Sequence, residues 1–184
     1  MKKKTEKCKK NMKIWLNLDI ADERWKQAIS DIEALSEKVK ETAFAYAYNN
    51  DSDVREILDS CDFSVNVCLS DDDEVWRLNK EFRNMDKPTN VLSFANLDFA
   101  DFETSPNGEI TELGDIIIAF ETMQKEAEIE GITFKAHYCH LLTHGFLHIL
   151  GFDHIEDDEA EHMEGFETAI LAELGIENPY QDED

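Results

Sequence analysis

Ile116-Ile117-Ile118-Ala119-Phe120 is the stretch on which the fold turns. Neighbouring side chains of an extended chain point to opposite sides, so five apolar residues in succession predict a central strand covered on both faces. Upstream, Asp98 to Gly108 is polar and contains Ser105-Pro106-Asn107-Gly108, which predicts a mobile surface loop or hairpin connection. Before it, Asn90 to Phe94 and Phe63 to Leu69 read as two further strands. The alternation of Ile14, Leu16 and Leu18 with Trp15, Asn17 and Asp19 gives a first strand with one buried face.

Helical periodicity fills most of the remainder. Trp25, Ile29, Ile32, Leu35, Val39 and Ala43 recur at spacings of three and four, predicting one long helix from Asp22 to about Tyr48. The Asn49-Asn50-Asp51-Ser52-Asp53 cluster reads as a loop. Ser70 with Asp73 forms a capping-box signature for a helix over 71–84. Further helices are predicted over 121–130, 134–150 and 157–174, each stopped by a glycine: Gly131, Gly151 and Gly175. The expected fold is a single α+β domain with a mixed sheet of about four strands packed with helices.

Composition agrees. The chain has 184 residues, 42% of them hydrophobic, with only 7 Gly and 3 Pro, which excludes a disordered, collagenous or turn-dense all-β chain. The reading places the domain at residues 14–178, after a disordered Lys-rich extension (1–13, with Met12 as an alternative start) and before an acidic tail (179–184). No apolar run approaches a membrane span or a signal-peptide core, and the four cysteines form no C-x-x-C pair, so a cytoplasmic protein with no membrane partner is expected. The net charge of −24 disfavours nucleic acid unless a local patch binds it. One candidate patch lies between Trp76 and Asn90, where Arg77, Lys80, Arg83 and Lys87 face only Glu81 and Asp86.

Chemistry concentrates in His144-Gly145-Phe146-Leu147-His148-Ile149-Leu150-Gly151-Phe152-Asp153-His154. On a helix, residues i and i+4 stack on one face, so His144 and His148 can present two imidazoles to one metal. Gly151 ends the helix with a positive φ and lets His154 return as a third ligand. Three neutral imidazoles suit Zn²⁺ with a fourth position open to water, whose pKa would fall to about 7. His140, one turn earlier, is read as a hydrogen-bond partner, a substrate contact or an inert surface residue. His137 and His162 are expected at the surface, Cys139 as a small buried hydrophobe, and the acidic run from Asp157 to Glu167 as a solvated helix face. Asp153 is expected to hydrogen-bond near the ligands and Asp115 to touch the site or anchor a turn. Thr89, Asn90 and Ser93 are expected to be turn and strand-end hydrogen-bond formers.

The spacing of the three histidines and Gly151 matches the metzincin proteases, but Gly145 stands where a protease needs a Glu base. An amide is a poor substrate without that carboxylate, whereas a phosphodiester suits a metal with a cationic partner. Arg83, with a guanidinium matched to phosphate, is the best candidate for that partner.

Three segments then resemble the YbeY family of bacterial rRNA maturation factors. They are His144 to His154, the pair Leu78-Asn79-Lys80-Glu81-Phe82-Arg83 and Asp86-Lys87-Pro88-Thr89-Asn90-Val91-Leu92-Ser93-Phe94, and Leu113-Gly114-Asp115-Ile116-Ile117-Ile118. Met85 departs from the pattern, replacing a common Lys. The resemblance implies one Zn²⁺ per chain on His144, His148 and His154, with Arg83 facing it as a catalytic residue. It implies an endoribonuclease cleaving single-stranded RNA, an rRNA precursor, in 16S rRNA 3′-end processing and ribosome quality control. Partners would be the small ribosomal subunit or its proteins and an assembly GTPase. The rival expectations are a metzincin-like metalloprotease and a non-enzymatic ribosome assembly factor with a structural zinc.

Overall fold

The structure, a computed structural model, describes residues 13–96 and 110–180. Along the chain lie β1 (Ile14–Ile20), α1 (Arg24–Ala28), α2 (Ile32–Asn50), α3 (Ser52–Leu58), β2 (Phe63–Ser70), α4 (Asp72–Arg83), β3 (Val91–Ala95), β4 (Thr111–Ala119), α5 (Phe120–Glu130), α6 (Phe134–Ile149) and α7 (Asp157–Glu173). The polar 98–108 segment, the Lys-rich start and the last acidic residues lie outside the described residues, apart from Lys13 and Pro179-Tyr180 at their margins.

The four strands form one mixed sheet in the order β1-β2-β4-β3. β1 and β2 pair in parallel, as do β2 and β4, and β3 closes the sheet antiparallel to β4. Phe63, Val65, Val67 and Leu69 of β2 are buried on the face that joins Ile116 and Ile118 to the helical layer. The central strand is longer than its five-residue signature and ends at Ala119, because Phe120 opens α5.

Three expectations need correction. The long helix over 22–48 is broken: the Ile29 N–H closes α1 on the Trp25 carbonyl, and Ile29 adopts an extended conformation before α2 begins. The Asn49–Asp53 cluster is not a loop, since the Asp51 carboxylate accepts the N–H groups of Asp53 and Val54 and starts α3. The cap of α4 is Asp71, accepting from the Glu74 N–H at 2.9 Å, and not Ser70.

Two glycines set how the helices and strands approach. A Cβ on Gly145 would stand 2.9 Å from Ile116 Cγ2, so α6 lies against β4 at a distance that a larger residue would forbid. A Cβ on Gly114, whose φ is +154°, would stand 2.2 Å from the Phe94 carbonyl oxygen and 3.1 Å from Ile149 Cγ2. Packing at that glycine brings the end of α6, β3 and β4 together.

Candidate active site

Thr133 caps α6, its hydroxyl accepting the Ala136 N–H, and the helix delivers His140, His144 and His148 on successive turns. After Leu150 the chain reverses at Gly151, with φ of 88°, and the Phe152 N–H returns to the Leu147 carbonyl at 3.1 Å. This reversal carries His154 back: its ring centroid lies 5.4 Å from that of His144 and 5.0 Å from that of His148. One nitrogen from each of the three rings falls within 4.8 Å of the others, a group that can bind a metal ion.

Hydrogen bonding decides which nitrogens face inward. The His148 Nδ1–H donates to the Phe152 carbonyl at 3.0 Å, and the His144 Nδ1–H to the Glu167 carboxylate at 2.7 Å. Both partners accept only, so both tautomers follow from the network, and both Nε2 atoms carry lone pairs. These lone pairs face one another at 2.9 Å, an arrangement that calls for a shared cation or proton. Burial, reinforced by His144 and His154, pushes the His148 imidazole down to about 4, which keeps it neutral and ready to donate to a metal. The donor set therefore fits a divalent cation of nitrogen preference.

Glu167 is the residue that sequence reading missed. It sits in the acidic run expected to be solvated, yet it is 1% exposed, turned inward from α7 beneath α6. Its carboxylate accepts from His144, from His140 Nε2 at 3.0 Å and from the Tyr180 hydroxyl. Burial by itself would raise this carboxyl, but the bonds from His140 and His144 outweigh it and bring it down to about 2. A carboxylate behind a metal-facing imidazole fixes the ring and raises its basicity. The only signal in the sequence was the helical spacing from Met163 and Phe166, which puts position 167 beside a buried face.

Other residues divide. His140 belongs to the Glu167 network and is no surface residue. His137, expected at the surface, is 3% exposed and bonded to Glu126, because α5 and α6 pack there. His162 is exposed and packs on Phe152 and Phe166. Cys139 is 1% exposed, its thiol pushed up to about 12 by burial. Asp153 accepts the backbone N–H of His154 at 2.8 Å and so shapes the turn. Asn90 caps the start of β3, accepting from the Val91 N–H and donating to Glu126.

The structure brings the three histidines together, and Arg83 stands at the end of α4 against β3. Its Nη2 donates to the Ser93 carbonyl at 3.0 Å, and its guanidinium lies 5.8 Å from the Phe94 ring centre. Two of its neighbours in the basic patch are occupied, Arg77 by Glu74 and Glu81 and Lys80 by Asp86. Arg83 bonds a neutral carbonyl and has no acidic partner among the described residues. A cleft of about 790 Å³ opens on the opposite face of the sheet, and the histidines do not line it.

Comparison with known proteins decides the kinship. The family model described as Endoribonuclease YbeY matches residues 19–175. The chain belongs to the YbeY family. A YbeY endoribonuclease of Paramagnetospirillum magneticum is 41% identical over 167 residues, covering 91% of this chain and 96% of its own length. Another, from Bradyrhizobium diazoefficiens, is 47% identical over 154 residues, covering 80% and 77% respectively. The solution structure of TM1509 from Thermotoga maritima matches with a TM-score of 0.51 and 26% identity, covering 92% of this YbeY chain and 97% of its own.

Proposed function

We propose that this YbeY protein is a zinc-dependent endoribonuclease that cuts single-stranded RNA, with an rRNA precursor near the 3′ end of 16S rRNA as its substrate. The observation that carries the reading is the inward-facing pair of Nε2 lone pairs on His144 and His148, with His154 beside them. Family membership supplies the reaction class, the hydrolysis of RNA phosphodiester bonds.

His144, His148 and His154 would hold the metal, and three imidazoles suit Zn²⁺. Bound there, the ion would supply Lewis-acid stabilisation of charge on the phosphoryl oxygens and would lower the pKa of water. Glu167 holds the His144 ring in its metal-facing orientation. Arg83 takes the non-bridging phosphate oxygens as charge builds on them, which a guanidinium does in bidentate fashion. A chain with net charge −24 relies on that local cation, and on small-subunit proteins or an assembly GTPase in the cytoplasm, to bring RNA close.

The metalloprotease rival is disfavoured by packing. The position of its general base is Gly145, whose missing side chain is the contact between α6 and Ile116. Incubation with fluorescent single-stranded RNA, its duplex form and casein, each with and without a chelator, tests the reading. Chelator-sensitive cutting of the single strand alone is expected. Turnover of casein, or cutting unaffected by metal removal, would overturn it, and a 2′,3′-cyclic phosphate end would identify the RNA 2′-hydroxyl as nucleophile.

A further inference from the structure

The cleft opposite the helical layer is lined by Asn17 and Asp19 of β1, Asn66 and Cys68 of β2, Asp115 and Ile117 of β4, and Leu78, Phe82 and Phe94 above them. Its volume of about 790 Å³ falls in the range of ligand sites, roughly 300–1,000 Å³. Across its floor runs a ladder of polar side chains in register on three strands: Asn17 pairs with Asn66, and Asn66 with Asp115.

The direction of the ladder follows from its end. Asp115 can only accept, so Asn66 Nδ2 donates to its Oδ1 at 3.0 Å; Asn66 Oδ1 then accepts from Asn17 Nδ2 at 2.9 Å. Asp115 Oδ2 and Asn17 Oδ1 are left without a hydrogen-bond partner among the described residues. Both are acceptors. Among the described residues the lining includes two carboxylates, Asp19 and Asp115, and no cation. An occupant must therefore donate hydrogen bonds and carry no phosphate into the floor.

The walls favour a flat ring. Phe82 is 62% exposed and packs edge-on against Phe94 with centroids 5.7 Å apart, leaving an aromatic face to the cleft. Arg83 follows Phe82 in the chain and sits over Phe94, a position for the phosphate attached to such a ring. Gly114, next to Asp115, meets Ile149 of α6, so the Asp115 end of the cleft adjoins the helix that carries His148. Single-stranded RNA is read by splaying bases onto aromatic side chains and bonding their edges.

We infer that this cleft is a nucleobase site selecting guanine, the base whose Watson–Crick edge presents an adjacent ring N–H and exocyclic amine to one carboxylate. Asp115 receives that edge, Asn66 fixes the carboxylate, Phe82, braced edge-on by Phe94, stacks on one face of the ring, and Arg83 takes its phosphate at the rim. The inference rests on the ribonuclease reading and assigns the base that flanks the cut.

Nuclear magnetic resonance of the whole protein, titrated with guanosine, inosine, adenosine and uridine 5′-monophosphates, tests it without requiring cleavage. The Asn17 and Asn66 side-chain amide signals should shift saturably with the guanosine nucleotide. Inosine, which lacks the exocyclic amine, should bind about tenfold more weakly, and Asp115→Asn should erase that difference while backbone signals report an intact fold. Equal shifts with all four nucleotides, or none with any, would overturn the guanine site. Cutting of single-stranded RNA in a parallel sample keeps the two readings apart: an uncut RNA with guanosine selectivity leaves the site standing and removes the ribonuclease. Cut RNA without that selectivity does the reverse.

Discussion

Replacing Glu167 by Gln keeps the shape of the side chain and removes its charge. The buried carboxylate accepts from three donors, on His144, His140 and Tyr180. A glutamine has one acceptor oxygen. If it keeps His144, its NH₂ group meets His140 Nε2 and the Tyr180 hydroxyl, and one donor at least is left facing a donor. His140 has no easy alternative, because its Nδ1 is buried without a partner among the described residues. A hydrogen bond to a charged group contributes roughly 1.5–3 kcal/mol, so Glu167→Gln should cost about 2 kcal/mol of stability. Glu167→Ala should cost more, about 3–5 kcal/mol, since it also strips the partner from a buried network. The lost anchor behind His144 should weaken zinc binding about 10- to 100-fold, measured by competition with a chromophoric chelator on the folded variant. The carboxyl lies below its unfolded value, so its contribution is present above about pH 4.5 and fades as pH falls toward about 2, and Glu167→Gln should flatten that decline. A folded Glu167→Gln protein that melts like wild type and binds zinc within threefold of it would mean that the Glu167 charge neither holds the network nor anchors His144.

Gly145→Glu, which would restore the protease pattern, should yield no peptidase and should destabilise the fold by roughly 1–3 kcal/mol, read by denaturant unfolding, because its Cβ enters Ile116. Arg83→Ala should lower kcat on single-stranded RNA by about 100-fold or more with little change in melting, since an exposed guanidinium bonded to one carbonyl contributes little to stability. In metal-free protein, His148 binds a proton more weakly folded than unfolded, so stability should fall as pH drops from about 6.5 to about 4. Thermal melting across that window checks it, and His148→Gln should reduce the slope.

The metal group was legible because its geometry is local. His144 and His148 share a helix face, and Gly151 announces the reversal that returns His154. Strands with one buried face were legible for the same reason, since the alternation at 14–18 and 63–69 lies in consecutive residues. What could not be read depends on contacts distant in the chain. Glu167 looks like any acid of its run until α7 packs on α6, and His137 looks exposed until α5 covers it. The order β1-β2-β4-β3 places Asn17, Asn66 and Asp115 side by side, though 98 positions separate the first from the last. The break at Ile29 and the short α3 were obscured by periodicity that continues through one and by turn-forming residues that in fact cap the other.

Whether the three histidines hold a catalytic metal is answered by metal content and single-stranded RNA cleavage of wild type and His148→Ala, with melting on the same samples. About one zinc per wild-type chain is expected, and a folded variant that is metal-poor and inactive. A metal-replete wild type inert on RNA, or a variant that cuts RNA without metal, would contradict a catalytic metal on these histidines.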